Sequence, residues 1–177
     1  MINLEIVSDD LLKIECGIIV VPIFYDIVPS KGSAGRIDWL MNNKISSFIL
    51  SNRLSGAYNE RGLICNSDKF VTDKILLIGM GKSTTFDTKR MINISSSIID
   101  ILKKIDVYDF SIELLGKGIL KLAPEIVFEN MVSGFVKKDD EKEMSIHIVE
   151  EEKTVREKLG KKAEEIIPQY QSLIKIA

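Results

Sequence analysis

The chain has no surplus of positive charge. Its 24 Lys and Arg stand against 26 Asp and Glu, a formal net charge of −2 with a pI near 5.6. That balance offers no basic face to a phosphate backbone, so nucleic acid is not an expected partner. Cysteine is scarce as well. Cys16 and Cys65 are too few and too far apart in sequence for a disulfide framework or a zinc site; both adjoin apolar runs, read as small core residues and fit a reducing cytoplasm. The one histidine, His147, has no patterned partner, so neither metal ligation nor a nucleophile with a histidine base is expected, and no G-x-S-x-G elbow occurs. No cofactor is implied. No apolar run approaches the roughly 20 residues that span a bilayer, and the opening MINLEIVSDD lacks the basic start and apolar core of a secretion signal. A cytoplasmic protein that neither crosses nor binds a membrane is the expectation. Internal repeats and low-complexity segments are absent too, which leaves one domain over residues 1–168 and an apolar tail over 169–177.

What is present is an alternation of strands and helices. The run Ile75 to Ile78, closed by Gly79, is apolar at every position and reads as a strand buried on both faces; Ile18 to Val21 is a second. Pro22 has no N–H for a ladder, so pairing is expected to fail there. Asn3 to Val7 alternates and suits a strand near a sheet edge. Asp109 to Leu115 and Met144 to Val149 alternate too. Gly62 to Cys65, followed by the turn residues Asn66 to Lys69, predicts a hairpin back into the Ile75 strand, hence a mixed sheet.

Helices are marked by period and by caps. Ile37, Leu40, Met41, Ile45, Phe48 and Ile49 share one stripe and predict a single helix. Asp87 is an N-cap before Met91, Ile94, Ile98, Leu102 and Ile105. Pro124 opens a third helix, and the acidic trio Glu150 to Glu152 a fourth that Pro168 should end or kink. The charged stretch Lys137 to Glu143 reads as a solvated loop. The order predicts an α/β three-layer sandwich, a mixed sheet with helices on both faces.

Two glycine segments follow buried strands. Gly32, Ser33 and Gly35 lead into a helix N-terminus, and Gly79, Gly81 and Lys82 close the central strand. Free N–H groups at such places can hold a phosphate, although glycine also serves simply to let the chain reverse. The segment GMGKS is neither a P-loop, whose first glycine would fall on Leu76, nor a dinucleotide fingerprint, whose third glycine would fall on Thr84. Carboxylate pairs such as Asp9 and Asp10 read as surface charge. In the tail, Tyr170, Leu173, Ile174 and Ile176 are more apolar than a frayed end and form a candidate interface.

The stretches Gly17 to Ile23, Gly35 to Leu40, Ser55 to Ala57, Lys74 to Lys82 and Glu129 to Phe135 together resemble the N-terminal domain of the peptidase M17 leucine aminopeptidases, whose fold is macro-domain-like. The resemblance runs from about Leu4 to Val149. It implies that metal and catalytic residues belong to a C-terminal peptidase domain bearing an N-T-D-A-E-G-R-type motif, and no residue here matches one. It also implies an ADP-ribose-like ligand through the relation to macro domains, but their Asn-Ala-Ala-Asn strand end is replaced by Val21, Pro22, Ile23 and Phe24. Two readings follow. One is a non-catalytic module acting through self-association or a protein partner; the other is a module binding a phosphate-bearing metabolite at the two glycine segments. Aminopeptidase activity with a separate catalytic chain ranks below both.

Overall fold

The computed structural model describes residues 1–65, 70–137, 142–170 and 173–176. The turn expected at Asn66 to Lys69 and the middle of the charged loop after Lys137 lie outside the described residues.

Among the described residues seven strands form one sheet: β1 (Ile2–Val7), β2 (Ile18–Phe24), β3 (Arg61–Cys65), β4 (Lys74–Gly81), β5 (Asp109–Glu113), β6 (Met144–Val149) and β7 (Ile174–Ile176), in the order β3-β4-β2-β5-β6-β1-β7. Among the described residues only β3 is antiparallel to its neighbour, which makes the sheet mixed as the hairpin signal predicted. The strands are connected by the α-helices α1 (Gly32–Leu40), α2 (Lys44–Leu50), α3 (Thr88–Lys104), α4 (Pro124–Phe135) and α5 (Lys153–Ile166).

The apolar runs sit where burial on two faces demands them. Alternate residues of β2 and β4, such as Val20 and Ile78, pack with Met91 and Ile98 of α3 and Phe128 and Met131 of α4. Their neighbours Ile19, Val21, Ile75 and Leu77 pack on the opposite face with Ile37 of α1 and Ile45 of α2. A strand clamped between two apolar layers has no exposed face, which is why the period-two signal vanishes there. Asp87 caps α3 as expected, its carboxylate accepting from Arg90 N at 2.8 Å.

Three expectations need correction. The stripe from Ile37 to Ile49 is two helices, because Asn42 and Asn43 both adopt positive φ and Asp38 accepts from Ser46 N at 3.0 Å, beginning a new helix. Pairing continues past Pro22 to Phe24 on the β4 side, while the β5 ladder ends at Val20, so a donor is lost where one ladder has already stopped. Strand β1 lies near the sheet edge as expected, one strand in, since β7 pairs with it from Ile2↔Ile174 to Leu4↔Ile176. Cys65 is exposed on the outermost strand, and Cys16 is only half-buried.

The tail packs on its own chain. Ile174 is 4% exposed, and Tyr170 and Leu173 lie against the main core. Among the described residues no helix is long and apolar enough to cross a membrane.

Candidate functional site

Strand order reverses beside β2. The chain leaves β2 and returns as β4 on one side, then crosses through α3 to β5 on the other. Loops leaving the carboxyl ends of β2 and β5 therefore diverge, and a crevice opens between them, the usual place for a ligand in such sheets.

Four segments meet there: the loop after β1, the N-terminus of α1, the loop after β5 and the start of the α5 connection. They enclose a cavity of about 310 Å³ lined by Leu11, Leu12, Gly32, Ser33, Arg36, Glu113, Lys117, Gly118 and Glu151. A second cavity of about 320 Å³ lies beyond Lys117 and is walled largely by apolar side chains, among them Leu114, Leu120, Val127 and Val155. Lys117 and Gly118 belong to both walls.

Lys117 organises the crevice. Its Nζ lies 3.0 Å from Glu150 Oε1 and 3.6 Å from Glu113 Oε1. Burial works against the ammonium charge, yet the Glu150 hydrogen bond and the nearby Glu113 and Glu151 outweigh it and raise the Lys117 pKa. The Glu150 carboxylate also accepts from Glu152 N at 3.0 Å. Arg36, on α1, forms a two-pronged pair with Asp10, one prong Nη1 to Oδ1 at 2.9 Å. This hydrogen bond is the main reason that the Asp10 pKa falls below its ordinary value and that of Arg36 rises. The first residues of α1 have no side-chain cap, since Lys31 stands at the N-cap.

The sequence-derived glycines divide. Gly32, at φ +61°, and Ser33 line the cavity. Gly35 supports the loop from behind, where a Cβ would lie 2.3 Å from Ser30 O. Gly79 and Gly81 line neither cavity. Their N–H groups donate to Glu60 O and Gly56 O at 2.7 and 2.9 Å, and a Cβ at Gly79 would lie 1.9 Å from Ala57 O. Lys82 is exposed beside Ser83, whose N and Oγ donate to Asp26 at 2.8 and 2.9 Å. The backbone donors of Gly79, Gly81 and Ser83 are thus committed within the chain.

Sequence reasoning missed the loop Gly116-Lys117-Gly118. Its signal was available: like Gly32 to Gly35, it is a glycine segment between a strand and a helix opening. Gly116 and Gly118 both take positive φ, 74° and 72°.

His147 sits apart, at the middle of the sheet. Its Nε2 is 3.0 Å from Asp109 Oδ1 and its Nδ1 3.3 Å from Glu5 Oε2, a link across three strands. Among the described residues no group of three or more His, Cys, Asp or Glu side chains is placed to hold a metal ion.

The model of the cytosol aminopeptidase family, N-terminal domain, matches residues 20–139. No curated protein sequence matches the chain. Among solved structures, a mutant macrodomain of Oceanobacillus iheyensis with ADPR superposes with a TM-score of 0.75 at 12% identity, covering 93% of this chain and 92% of that one. The macrodomain of Mycobacterium tuberculosis DarG gives 0.65 at 17% identity, covering 82% and 97%. A mutant of tomato leucine aminopeptidase gives 0.63 at 11% identity, covering 92% of this chain but only 35% of the aminopeptidase. At such identities the likeness is one of fold.

Proposed function

This chain belongs to the cytosol aminopeptidase family through its N-terminal domain, and on that premise we propose that it is a small-molecule binding module of macrodomain type, with no peptidase chemistry of its own. One observation carries this reading. Two glycine loops from strands on either side of the reversal, Gly32 to Gly35 and Gly116 to Gly118, converge on a half-open crevice of about 310 Å³. The ADPR of the Oceanobacillus structure makes nucleosides and nucleotides the first probes to try. Titrating them while following backbone amide resonances should move Gly32, Ser33, Lys117 and Gly118 together. If every shift fell elsewhere, or none occurred, the crevice would not be the site.

A second reading, self-association or docking to another protein, has a separate support. Trp39 is 74% and Leu50 82% exposed, on α1 and α2 respectively. Light scattering on the purified chain tests it, and a monomer at every concentration up to about 1 mM, a very weak association limit, would remove self-association.

A further inference from the structure

The second cavity, beyond Lys117, differs in chemistry from the crevice. Leu114 and Val127, 4% and 5% exposed, lie deepest in its wall, and Leu120, Pro124 and Val155 are half-buried around it. Leu122, at 36%, stands toward solvent. The charges beside these side chains are engaged within the chain. Lys117 pairs with Glu150 at 3.0 Å, the Glu150 carboxylate also accepts from Glu152 N, and the Glu152 carboxylate accepts from Thr154 Oγ1. Arg156, near the start of α5, donates through Nη1 to the Glu150 and Glu151 carbonyls. A charged group entering here would leave water without gaining a counter-ion, whereas an uncharged apolar group gains from every contact it buries.

Size narrows the group further. The cavity measures about 320 Å³, about twice the roughly 150 Å³ apolar cavity that holds a benzene ring. One ring with a short link fits. The link has a way out, because Gly118 borders both cavities and a Cβ built on it would meet no atom within 4 Å. Its neighbour Lys117, the other residue common to both walls with it, is tied to Glu150 and Glu113.

We infer that the second cavity is the apolar half of a bipartite site: the ligand carries one uncharged apolar ring that lies among Leu114, Leu120, Val127 and Val155, and its polar part crosses Gly118 into the crevice. This rests on the crevice being the binding site, as proposed above.

The test follows leucine and valine methyl resonances together with backbone amides. Benzyl alcohol, the ring alone, should move the methyls of Leu114, Leu120, Val127 and Val155 and leave the Gly32 and Ser33 amides in place. Benzoate and benzylamine, similar in size but charged, should bind at least about tenfold more weakly. Of N6-benzyladenosine and 5′-O-benzyladenosine, at least one should move both sets and bind at least about tenfold more tightly than adenosine in calorimetric titration. Val155→Phe, which fills the cavity, should abolish that gain and leave adenosine binding unchanged, and Val155→Thr should reduce it, with melting curves confirming the fold. Absence of methyl shifts with benzyl alcohol, or benzoate or benzylamine binding as well as the alcohol, would overturn the inference. So would two benzylated nucleosides no tighter than adenosine, and if adenosine still moved Gly32 and Ser33 the crevice would stand as a site without its apolar half. Methyl shifts with benzyl alcohol but no response of Gly32 and Ser33 to any nucleoside would overturn the bipartite site together with the crevice reading.

Discussion

Lys117 and Glu150 are joined at 3.0 Å, and the glutamate side chain is almost wholly removed from solvent while the lysine side chain is 37% exposed. The pair ties the loop after β5 to the end of β6, so the same contact that shapes the crevice wall also holds two strand ends together. Lys117→Met leaves the carboxylate buried without its cation. Discounted for the partial exposure of the lysine, the expected loss is about 1–3 kcal/mol in urea unfolding. Because the Lys117 pKa is raised on folding, its contribution is complete below the ordinary value of 10.5 and fades as pH climbs through the higher folded value. Glu150→Gln should flatten that alkaline decline; an unchanged alkaline limb would count against the pair.

Glu60 sits in a nest of donors. Its Oε2 accepts from Ser55 N and Gly56 N at 2.8 Å, Ser55 Oγ at 2.8 Å and Ala57 N at 3.1 Å. Burial pushes its pKa up, but the hydrogen bonds from Ser55, Gly56 and Ala57 together win, and it falls below the ordinary 4.5. The stabilisation is present above pH 4.5 and disappears as pH drops through the lower folded value. Glu60→Gln should lower stability at pH 7 by about 1–3 kcal/mol and soften the acid decline, measured by urea midpoints from pH 7 to pH 3.

The central glycines are tested by contrast. Gly79→Ala must place a Cβ against the Ala57 carbonyl and is expected to cost at least about 2 kcal/mol or prevent folding. Lys82→Ala alters only an exposed side chain, so melting temperature and crevice binding should stay within error. Loss of ligand binding in Lys82→Ala would move the site to the second turn.

Ser95 is fully buried on α3, and its hydroxyl has no hydrogen-bond partner among the described residues. It lies where α3 and α4 approach closely, since a Cβ at Gly134 would come within 2.5 Å of Ser95 Cβ. Ser95→Ala removes an unsatisfied polar atom and is expected to be neutral or to stabilise by up to about 1 kcal/mol. Gly134→Ala, by the same closeness, should destabilise by about 1–3 kcal/mol. A clear destabilisation by Ser95→Ala would show that the hydroxyl is bonded.

Much of the fold was legible because its signals are local. Ile75 to Ile78 and Ile18 to Val21 are uninterrupted apolar runs, Asp87 and Pro124 mark helix openings, and Asn66 to Lys69 marks a hairpin. The break at Asn42 and Asn43 was missed because the apolar stripe stays in phase across it, and only the Asp38 bond to Ser46 reveals two helices. Of the candidate site, Gly32 and Ser33, which line the cavity, were legible in the same way.

By itself, then, the sequence determined which segments must be buried, where α3, α4 and α5 start, and that the sheet is mixed, since each follows from the side chains of neighbouring residues. Only the tertiary structure decided which glycines face open space, placing Gly116 to Gly118 opposite Gly32 and spending the donors of Gly79 and Gly81 on residues 56 to 60. It alone set the charge of the crevice as well. Asp10, Arg36, Glu113, Lys117, Glu150 and Glu151 come from separate stretches of chain, and a Coulomb energy depends on their distance in space, which no local pattern encodes.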